Sequence, residues 1–336
     1  MNSALVKSKT AIVRAPAKIN LCFDILGLRP DGFHDIETIF QAISLEDELK
    51  IHLQEASNDE IEIKVEEAFI RKLIPLDGTN LIARAFHLFL RHIGSKCKYK
   101  AVVELDKRIP IGAGLAGGST DAAAVLIALN EMLGQKLSLE ELLELGAQLG
   151  SDVPFCILGG TALGRGRGEV LERIDRKLDL SLCIVKPLKL AVSTPWAFKT
   201  YDESVAKQDA AHRPYLSLAA VRQGLENSDL EMTLSGLGNV FQPVIFGAHP
   251  ELKKLHDDLL SQGVFACHMT GSGPTLFAIT PGREMGHHIR RHMLLDDEIG
   301  FYYGTEEVIR EAHPPIDFRL AETVSYGPRL ISLEEH

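Results

Sequence analysis

Apolar and polar residues alternate along several stretches of the first third of the chain, as they do in strands with one buried face. Together with the β-branched residues, this alternation predicts four strands, at residues 11–14, 20–27, 38–53 and 60–66. Apolar residues at helical spacing then predict a helix from Asn80 to Ile93. Alternation returns at 99–106 and predicts a fifth strand.

The middle of the chain combines a helical pattern with shorter strand-like runs. An Ala-rich run predicts a helix over 119–133, and Ser138 with Glu141 forms a capping-box pattern for a helix that ends near Gly150. Further strands are predicted at 155–163, 168–174 and 180–186.

The last third contains one polar loop, one well-marked helix and one hairpin. The polar stretch 202–213 predicts a loop, and the helix predicted over 250–262 begins with Pro and is followed by Gly. Two strands, 265–270 and 275–280, are predicted to pair around a glycine turn. Helices interspersed with hairpin-like strands indicate an α+β sandwich in each half.

The composition is that of a globular protein large enough for two domains. The chain has 336 residues, of which 45% are hydrophobic and 24% charged. Its formal net charge of −10 argues against a general affinity for nucleic acid or an anionic membrane. The start of the chain lacks a long apolar stretch, and the five cysteines form no C-x-x-C pair. We therefore expect no signal peptide, and a cytoplasmic protein with reduced thiols.

The most informative segment is a glycine-rich stretch between the strand at 99–106 and the helix at 119–133. Glycines stand at positions 112, 114, 117 and 118. A turn without side chains that leads into a helix start directs backbone N–H groups, and the positive end of the helix dipole, at one point. That point suits a phosphate, so the chain is predicted to bind a nucleotide.

Two common phosphate motifs fit this stretch poorly. The letters Gly112-x-Gly114-x-x-Gly117 match the dinucleotide fingerprint, but a helix follows where that motif needs a second strand ending in an acidic residue. A P-loop needs Lys immediately before Ser119, and Gly118 stands there. A glycine turn that only reverses the chain is a third alternative, but such a turn rarely needs so many glycines.

The segment Pro110-Ile-Gly-Ala-Gly-Leu-Ala-Gly-Gly-Ser-Thr-Asp-Ala-Ala123 resembles the phosphate loop of the GHMP small-molecule kinases. Pro16-Ala-Lys-Ile-Asn-Leu21 and Met269-Thr-Gly-Ser-Gly-Pro-Thr275 resemble the other two motifs of that superfamily, in the expected order. The resemblance implies an α+β fold with two domains: an N-terminal α/β domain with a left-handed βαβ crossover, and a ferredoxin-like C-terminal α+β domain. It also implies ATP and Mg²⁺ as cofactors.

Further segments resemble one branch of this superfamily, the kinases that act on 4-diphosphocytidyl-2-C-methyl-D-erythritol. These segments are Arg29-Pro-Asp-Gly-Phe-His34, Asn80-Leu-Ile-x-Arg-Ala85, Gly150-Ser-Asp-Val-Pro154 and Thr194-Pro-x-x-Phe198. The resemblance implies phosphorylation of the 2-hydroxyl of this CDP-linked alcohol in the non-mevalonate route to isoprenoids. We expect a monomer or weak homodimer, with no nucleic acid or membrane partner. We place an ATP-binding domain at 1–176, a second domain at 177–285 and an extension without an assigned role at 286–336.

Lys18 and Asp152 are the predicted catalytic residues. From local sequence alone, a turn or N-cap role explains Asp152 better than catalysis does, and a surface position on an alternating strand explains Lys18 equally well. The resemblance makes Asp152 the base beside the acceptor hydroxyl. It makes Lys18 the cation that pairs with Asp152, keeps it ionised and helps to neutralise the transferred phosphoryl group.

The resemblance assigns ATP to the glycine stretch and its neighbours. The predicted ATP-binding residues are Asn80, Lys107, Pro110, Gly112, Ala113, Gly114, Leu115, Ala116, Gly117, Gly118, Ser119 and Thr120. Ser119 and Thr120 suit phosphate oxygens or Mg²⁺, and helix capping is their alternative role. No metal ligand is assigned, although Mg²⁺ is expected near Ser119. Asp121 stands where the related kinases frequently have Asn.

The acceptor is assigned to a third group of residues. They are Asn20, Phe33, His34, Thr194, Phe198, Gly271, Ser272 and Gly273. Phe33 and Phe198 are expected to face each other across a pyrimidine ring, and His34 to offer a donor and an acceptor to the cytosine edge. Core packing is the alternative role of both phenylalanines.

Two other functions remain as alternatives. Another GHMP kinase, acting on homoserine, mevalonate or a sugar, would leave His34 and the segment Thr194–Phe198 without an explanation. A nucleotide-binding or dinucleotide-dependent protein would use the glycine stretch without transferring a phosphoryl group.

Overall fold

Two long strands form the centre of the first sheet. The computed structural model describes residues 8–134, 136–176, 178–206, 214–294 and 315–336. In it, β1 (Ser8–Leu28) and β2 (His34–Ala56) pair antiparallel along most of their length. The register shifts on both sides of the segment from Lys18 to Asn20. Such irregularities re-aim side chains, so they decide which way this segment faces.

The first sheet extends from this pair on the β2 side. β4 (Lys98–Asp106) is antiparallel to β2, and β3 (Glu60–Lys64) is parallel to β4. The chain between β3 and β4 contains α1 (Leu81–His92), so these elements form a βαβ crossover whose left-handedness stays a prediction. β5 (Thr161–Arg165) pairs with β2, and β6 (Val170–Arg173) pairs with β5.

Helices pack against the first sheet around one apolar core. These helices are α1, α2 (Gly117–Met132), α3 (Leu139–Ala147) and α4 (Val153–Leu158). Most of α2 is buried, which explains why its Ala-rich sequence is apolar on nearly all sides. The predicted capping box at the start of α3 is confirmed, since Ser138 and Glu141 exchange both side-chain-to-backbone hydrogen bonds.

A second sheet lies in the C-terminal half. Within the described residues its strand order is β11 (Ile316–Glu322), β7 (Ser181–Pro187), β10 (Leu276–Thr280) and β9 (Ala266–Met269). All three neighbouring pairs are antiparallel, and β9 and β10 form the predicted hairpin. A short strand, β8 (Gly238–Asn239), pairs with β1 of the first sheet.

The helices of the second half include the one predicted over 250–262. They are α5 (Thr194–Ala206), α6 (Leu218–Asn227), α7 (Leu230–Gly236), α8 (Gln242–Ala248), α9 (Pro250–Ser261) and α10 (Arg283–Leu294). Several of them bury apolar side chains in a core shared with the second sheet. The two-domain α+β fold predicted from the resemblance is confirmed. Across the described ranges, no helix combines the length and the apolar character needed to cross a membrane.

The end of the chain contributes a strand to each sheet. β11 lies beside β7, and β12 (Arg329–Glu335) pairs antiparallel with β1. Between them, the Val324 N–H donates to the Ala42 carbonyl oxygen at 2.9 Å. This part of the extension therefore links the two sheets, while the predicted domain boundaries stay predictions.

Two local predictions were wrong. The predicted strand at 155–163 is helical up to Leu158, because Pro154 suits the first turn of a helix, and the strand begins only at Thr161. The predicted loop at 202–213 is helical up to Ala206, and residues 207–213 lie outside the described residues. Polarity misled this prediction, since α5 buries only Ala197 fully.

A substitution at Gly159 tests how the segment before β12 packs against the turn that follows α4. Gly159 has φ +63°, and a Cβ there would overlap the backbone of Tyr326 and Gly327. Gly94, with φ +59° and open space around it, is the matched control. We expect Gly94→Ala to lower the free energy of unfolding by about 1–2 kcal/mol through backbone strain alone. Gly159→Ala should cost about 1–3 kcal/mol more, because a backbone clash is added and its ψ of −170° lies in a region open essentially only to glycine. Urea unfolding measures both variants, and equal losses would contradict this packing.

Candidate functional site

A cavity of about 990 Å³ lies where the three sequence motifs meet. Its wall includes Lys18 and Asn20 on β1, the glycine stretch, Asp152 before α4 and the turn at Gly271. The volume is at the upper end of the range for ligand pockets. One cavity therefore contains residues from all three motifs.

The glycine stretch forms a turn that leads into α2. Gly112 and Gly114 have φ of +62° and +71°, a region that favours glycine. α2 follows Ala116, whose methyl side chain cannot cap the helix. The first N–H groups of a helix have no partner inside it, and here Gly117 and Ser119 line the cavity. This helix start is therefore suited to hold an anion.

Backbone contacts join the three motifs. A Cβ on Gly114 would lie 2.9 Å from the carbonyl oxygen of Thr270, so the two glycine turns approach too closely for a side chain. The Lys18 N–H donates to the carbonyl oxygen of Leu115 at 3.1 Å. These contacts hold the walls of the cavity together.

Lys18 is a buried cation beside a partly exposed carboxylate. Its side chain is 5% exposed, and its Nζ lies 3.8 Å from Oδ2 of Asp152, whose side chain is 38% exposed. Nζ also donates to Oδ1 of Asn20 at 2.9 Å, and Nδ2 of Asn20 donates to the Thr38 hydroxyl at 2.8 Å. Asp152 precedes α4 but forms no side-chain capping hydrogen bond, so capping does not explain this residue. The carboxylate is instead the charged partner that a buried ammonium requires.

A second buried lysine lies between two carboxylates near the glycine stretch. The Nζ of Lys107 donates to Asp47 at 2.5 Å and to Asp121 at 2.7 Å. The other oxygen of Asp47 accepts hydrogen bonds from the N–H groups of Arg108 and Ile109 at 2.6 and 2.8 Å. This cluster ties β2 to the segment entering the glycine stretch and to α2. Because two carboxylates neutralise Lys107, its clearest role is to hold that segment in place.

The Lys107 cluster contains more negative than positive charge. Burial raises the pKa of Asp121 well above its usual value, and the Asp47 carboxylate raises it further while Lys107 opposes the rise. Burial alone would lower the pKa of Lys107, but the two carboxylates raise it above its usual value. A proton on Asp121 would therefore remove the excess charge. Over the described ranges, Oδ1 of Asp121 is buried without a hydrogen-bond partner.

Aromatic side chains line another part of the cavity. The Phe198 ring stacks on His34 with centroids 4.6 Å apart and planes inclined by 21°. It meets the Phe241 ring edge-on at 4.9 Å. Phe33 is 53% exposed, and the Arg167 guanidinium lies 4.9 Å from its ring centroid. Core packing therefore does not explain Phe33, and one face of Phe198 is already covered by His34.

Most of the predicted site residues line the cavity. They are Lys18, Asn20, Phe33, His34, Asn80, Lys107, Pro110, Gly112, Ala113, Gly114, Leu115, Ala116, Gly117, Gly118, Ser119, Asp152, Thr194, Phe198, Gly271 and Ser272. Gly273 does not line it, and neither does Thr120, whose buried hydroxyl donates to the Pro16 carbonyl oxygen at 2.8 Å. Asn80 also caps α1 by accepting from the Ile82 N–H. The binding roles of these residues stay predictions.

The sequence analysis missed three residues around the cavity. Asp47 reaches Lys107 from β2, Arg167 lies over the Phe33 ring, and Asp202 accepts a hydrogen bond from His34. Asp202 lies one helical turn after Phe198 on α5. Had this stretch been predicted as a helix, the spacing would have placed Asp202 beside Phe198 and marked it as a candidate site residue. Asp47 and Arg167 carry no such local signal.

Comparisons with known proteins show which family the chain belongs to. The family model described as GHMP kinases N terminal domain matches residues 80–160, and the model described as GHMP kinases C terminal matches residues 218–294. The 4-diphosphocytidyl-2-C-methyl-D-erythritol kinase of Gloeobacter violaceus is 38% identical over 275 residues, covering 82% of this chain and 87% of its own. The kinase of the same name from Enterococcus faecalis is 39% identical over 272 residues, covering 80% and 89%. The chain belongs to the 4-diphosphocytidyl-2-C-methyl-D-erythritol kinase family of the GHMP kinases.

Solved structures show the same fold for this kinase. A crystal structure of 4-(cytidine 5'-diphospho)-2C-methyl-D-erythritol kinase is 27% identical with a TM-score of 0.71, covering 93% of this chain and 98% of its own. The homoserine kinase of Cytophaga hutchinsonii, at 19% identity, has a TM-score of 0.67 and covers 96% and 97%. The mevalonate kinase of L. major, at 15% identity, has the same TM-score and covers 94% and 96%. At these identities the last two show the fold alone.

Removing the charge of Lys107 tests the buried cluster. Lys107→Met would leave two buried carboxylates without their cation, so we expect it to lower the free energy of unfolding by about 3–5 kcal/mol. Lys50 is the control, because its ion pair with Glu104 joins side chains that are 44% and 49% exposed. Lys50→Met should cost less than about 1 kcal/mol. Urea unfolding of both variants makes the comparison, and similar losses would mean that the cluster is not electrostatically coupled.

Proposed function

We propose that this kinase uses ATP to phosphorylate the 2-hydroxyl of 4-diphosphocytidyl-2-C-methyl-D-erythritol, in the non-mevalonate route to isoprenoids. The names of relatives that are 38% and 39% identical over most of the chain support this substrate. The observation that carries the proposal is that one cavity contains a helix start suited to an anion, the Lys18–Asp152 pair and an aromatic wall. A nucleoside triphosphate and a CDP-linked alcohol require these three features.

The transfer is a direct displacement at the γ-phosphorus. The 2-hydroxyl oxygen forms the new P–O bond, the bond from the γ-phosphorus to the bridging oxygen of ADP breaks, and the hydroxyl proton passes to the Asp152 carboxylate. Lys18 offsets negative charge on the moving group. Asn20 holds the lysine through a hydrogen bond of 2.9 Å, so the ammonium does not need to reorganise during the reaction.

Mg²⁺ belongs to the proposal as the ion that would accompany ATP. The protein oxygen that suits it is the Ser119 hydroxyl, since Ser119 lines the cavity in the first turn of α2. In the part of the chain that the structure describes, no cluster of three His, Cys, Asp or Glu side chains could hold a metal. Phosphate and water oxygens would therefore complete its coordination, as is usual for Mg²⁺. When bound, the ion neutralises charge on the β- and γ-phosphates.

We also propose a cytoplasmic enzyme without a nucleic acid partner. All five cysteines are free and four of them are buried, which suits a reducing compartment. The net charge of −10 supports the absence of a general affinity for nucleic acid. A monomer or weak homodimer stays a prediction.

Asp152→Asn tests the proposed base. The amide cannot accept the proton, so we expect kcat to fall by about 10²–10⁴-fold while the KM for ATP changes little. Asp179→Asn is the control, because this aspartate is paired with Arg176 and its side chain is 87% exposed. Steady-state assays of ADP release measure both variants. Near-normal turnover in Asp152→Asn would remove Asp152 from the proposed chemistry.

Nucleotide binding tests the acceptor assignment without turnover. CDP should raise the melting temperature of the protein more than UDP at the same concentration, because a ligand stabilises the fold in proportion to the logarithm of its affinity. A tenfold difference in Kd corresponds to about 1.4 kcal/mol. ADP serves as the positive control, since it is expected at the glycine stretch. Equal protection by CDP and UDP would remove cytosine from the proposal.

A further inference from the structure

His34 and Asp202 form a hydrogen-bonded pair in the cavity wall that the proposed phosphoryl transfer does not use. Nε2 of His34 lies 2.8 Å from Oδ1 of Asp202. The His34 side chain is 7% exposed and that of Asp202 is 47% exposed. Both residues line the cavity. The pair is therefore placed to influence what binds there.

The helix α5 holds the imidazole of His34 in two ways. Phe198 stacks on its face at 4.6 Å, and Asp202, one helical turn further along, contacts its edge. The stacking fixes the plane of the ring, and the hydrogen bond fixes its rotation within that plane. The neighbouring carboxylate of Glu203 instead pairs with Lys199 at 3.9 Å, so the two acidic residues of this turn have different partners.

The hydrogen bond also decides where the imidazole carries its proton. An ionised carboxylate only accepts hydrogen bonds, so Nε2 must carry the hydrogen. In the neutral ring Nδ1 then has a lone pair and acts as an acceptor. Among the described residues, we find no hydrogen bond to this nitrogen. Asp202 therefore occupies the donor that His34 was expected to offer, and the ring, which lines the cavity, keeps one nitrogen that can accept.

An acceptor of this kind distinguishes the two pyrimidines. Cytosine has an amino group, a donor, at the position where uracil has a carbonyl oxygen, an acceptor. A buried acceptor is satisfied by the amino group and left unpaired against the carbonyl, and unpaired buried groups are what make such sites selective. Building on the proposed CDP-linked substrate, we propose that Asp202 is a specificity-determining positioning residue. It fixes His34 as an acceptor and so makes the cavity prefer cytosine to uracil.

The role differs from a purely structural one in what it predicts. Asp202 acts through His34 and does not touch the reacting atoms, so its loss should change base preference without changing chemistry on the phosphate side. In Asp202→Asn the side-chain amide can also donate to Nε2, which turns Nδ1 into a donor. In Asp202→Ala neither form of the ring is favoured. In both variants, Nδ1 of His34 is therefore less often the nitrogen that accepts a hydrogen bond.

The experiment compares cytidine and uridine ligands across four proteins: wild type, Asp202→Asn, Asp202→Ala and the control Glu203→Gln. The readouts are kcat/KM for the CDP-linked alcohol and its UDP-linked analogue at saturating ATP, the KM for ATP, and the Kd values of CDP and UDP by calorimetry. We expect both Asp202 variants to lower the cytidine-to-uridine ratio about tenfold, mainly through KM and Kd, since one hydrogen bond is lost. Glu203→Gln should keep the ratio, and the KM for ATP should stay unchanged in all four.

The outcomes separate this inference from the proposed function. An unchanged ratio in both Asp202 variants, with an unchanged KM for ATP, overturns the inference and leaves the proposed function intact. A wild type that binds CDP and UDP equally also overturns it. If the wild type does not phosphorylate the CDP-linked alcohol, the proposed function fails, and the Kd ratios for CDP and UDP still decide the role of Asp202. Because Asp202 is half-exposed, at least one of its two substitutions is expected to fold normally.

Discussion

The structure depends on placing one ammonium group, that of Lys18, almost entirely out of solvent. A buried charge costs several kcal/mol unless it is paired and hydrogen-bonded. Here Asp152 supplies the opposite charge and Asn20 a hydrogen bond, from separate parts of the fold. β1 must also be irregular at this point, because its register shifts on both sides of the segment that carries Lys18 and Asn20. Three features therefore depend on one another: the irregularity of β1, the burial of Lys18 and the position of Asp152 at the start of α4.

The two glycine turns also hold the Lys18 segment in place, from the side of the cavity where the phosphates are expected. Gly114 lies so close to the Thr270 carbonyl that no side chain fits between them, and the Lys18 N–H bonds to the loop containing Gly114. The Lys107 cluster then anchors the strand side of this loop through Asp47. These contacts fix the geometry of the site through the protein's own packing and hydrogen bonds, and electrostatic catalysis requires such preorganisation. α5 adds the more exposed wall, where His34 and Phe198 stack.

The parts of this site that could be predicted are those that backbone geometry dictates locally. A turn leading into a helix needs glycine whatever surrounds it, so the segment 110–123 was informative by itself, and three ordered motifs identified the superfamily. Local patterns failed where tertiary contacts decide. Asp47 contacts Lys107 across 60 residues of sequence, and nothing near it marks it as a partner of the loop. Asp202 was hidden because α5 is mostly polar and exposed, so its helical spacing was not recognised. The two strands at the end of the chain were missed for a related reason, since strand pairing with distant residues has no local signature.

The most direct measurement is a crystal structure with a non-hydrolysable ATP analogue and the CDP-linked alcohol bound together. The account predicts the triphosphate at the N-terminus of α2, with the acceptor hydroxyl within hydrogen-bond distance of the Asp152 carboxylate and beside the Lys18 ammonium. The cytosine should lie against the His34 wall. A complex in which the phosphates avoid the glycine stretch, or in which the hydroxyl lies far from both Lys18 and Asp152, would contradict it.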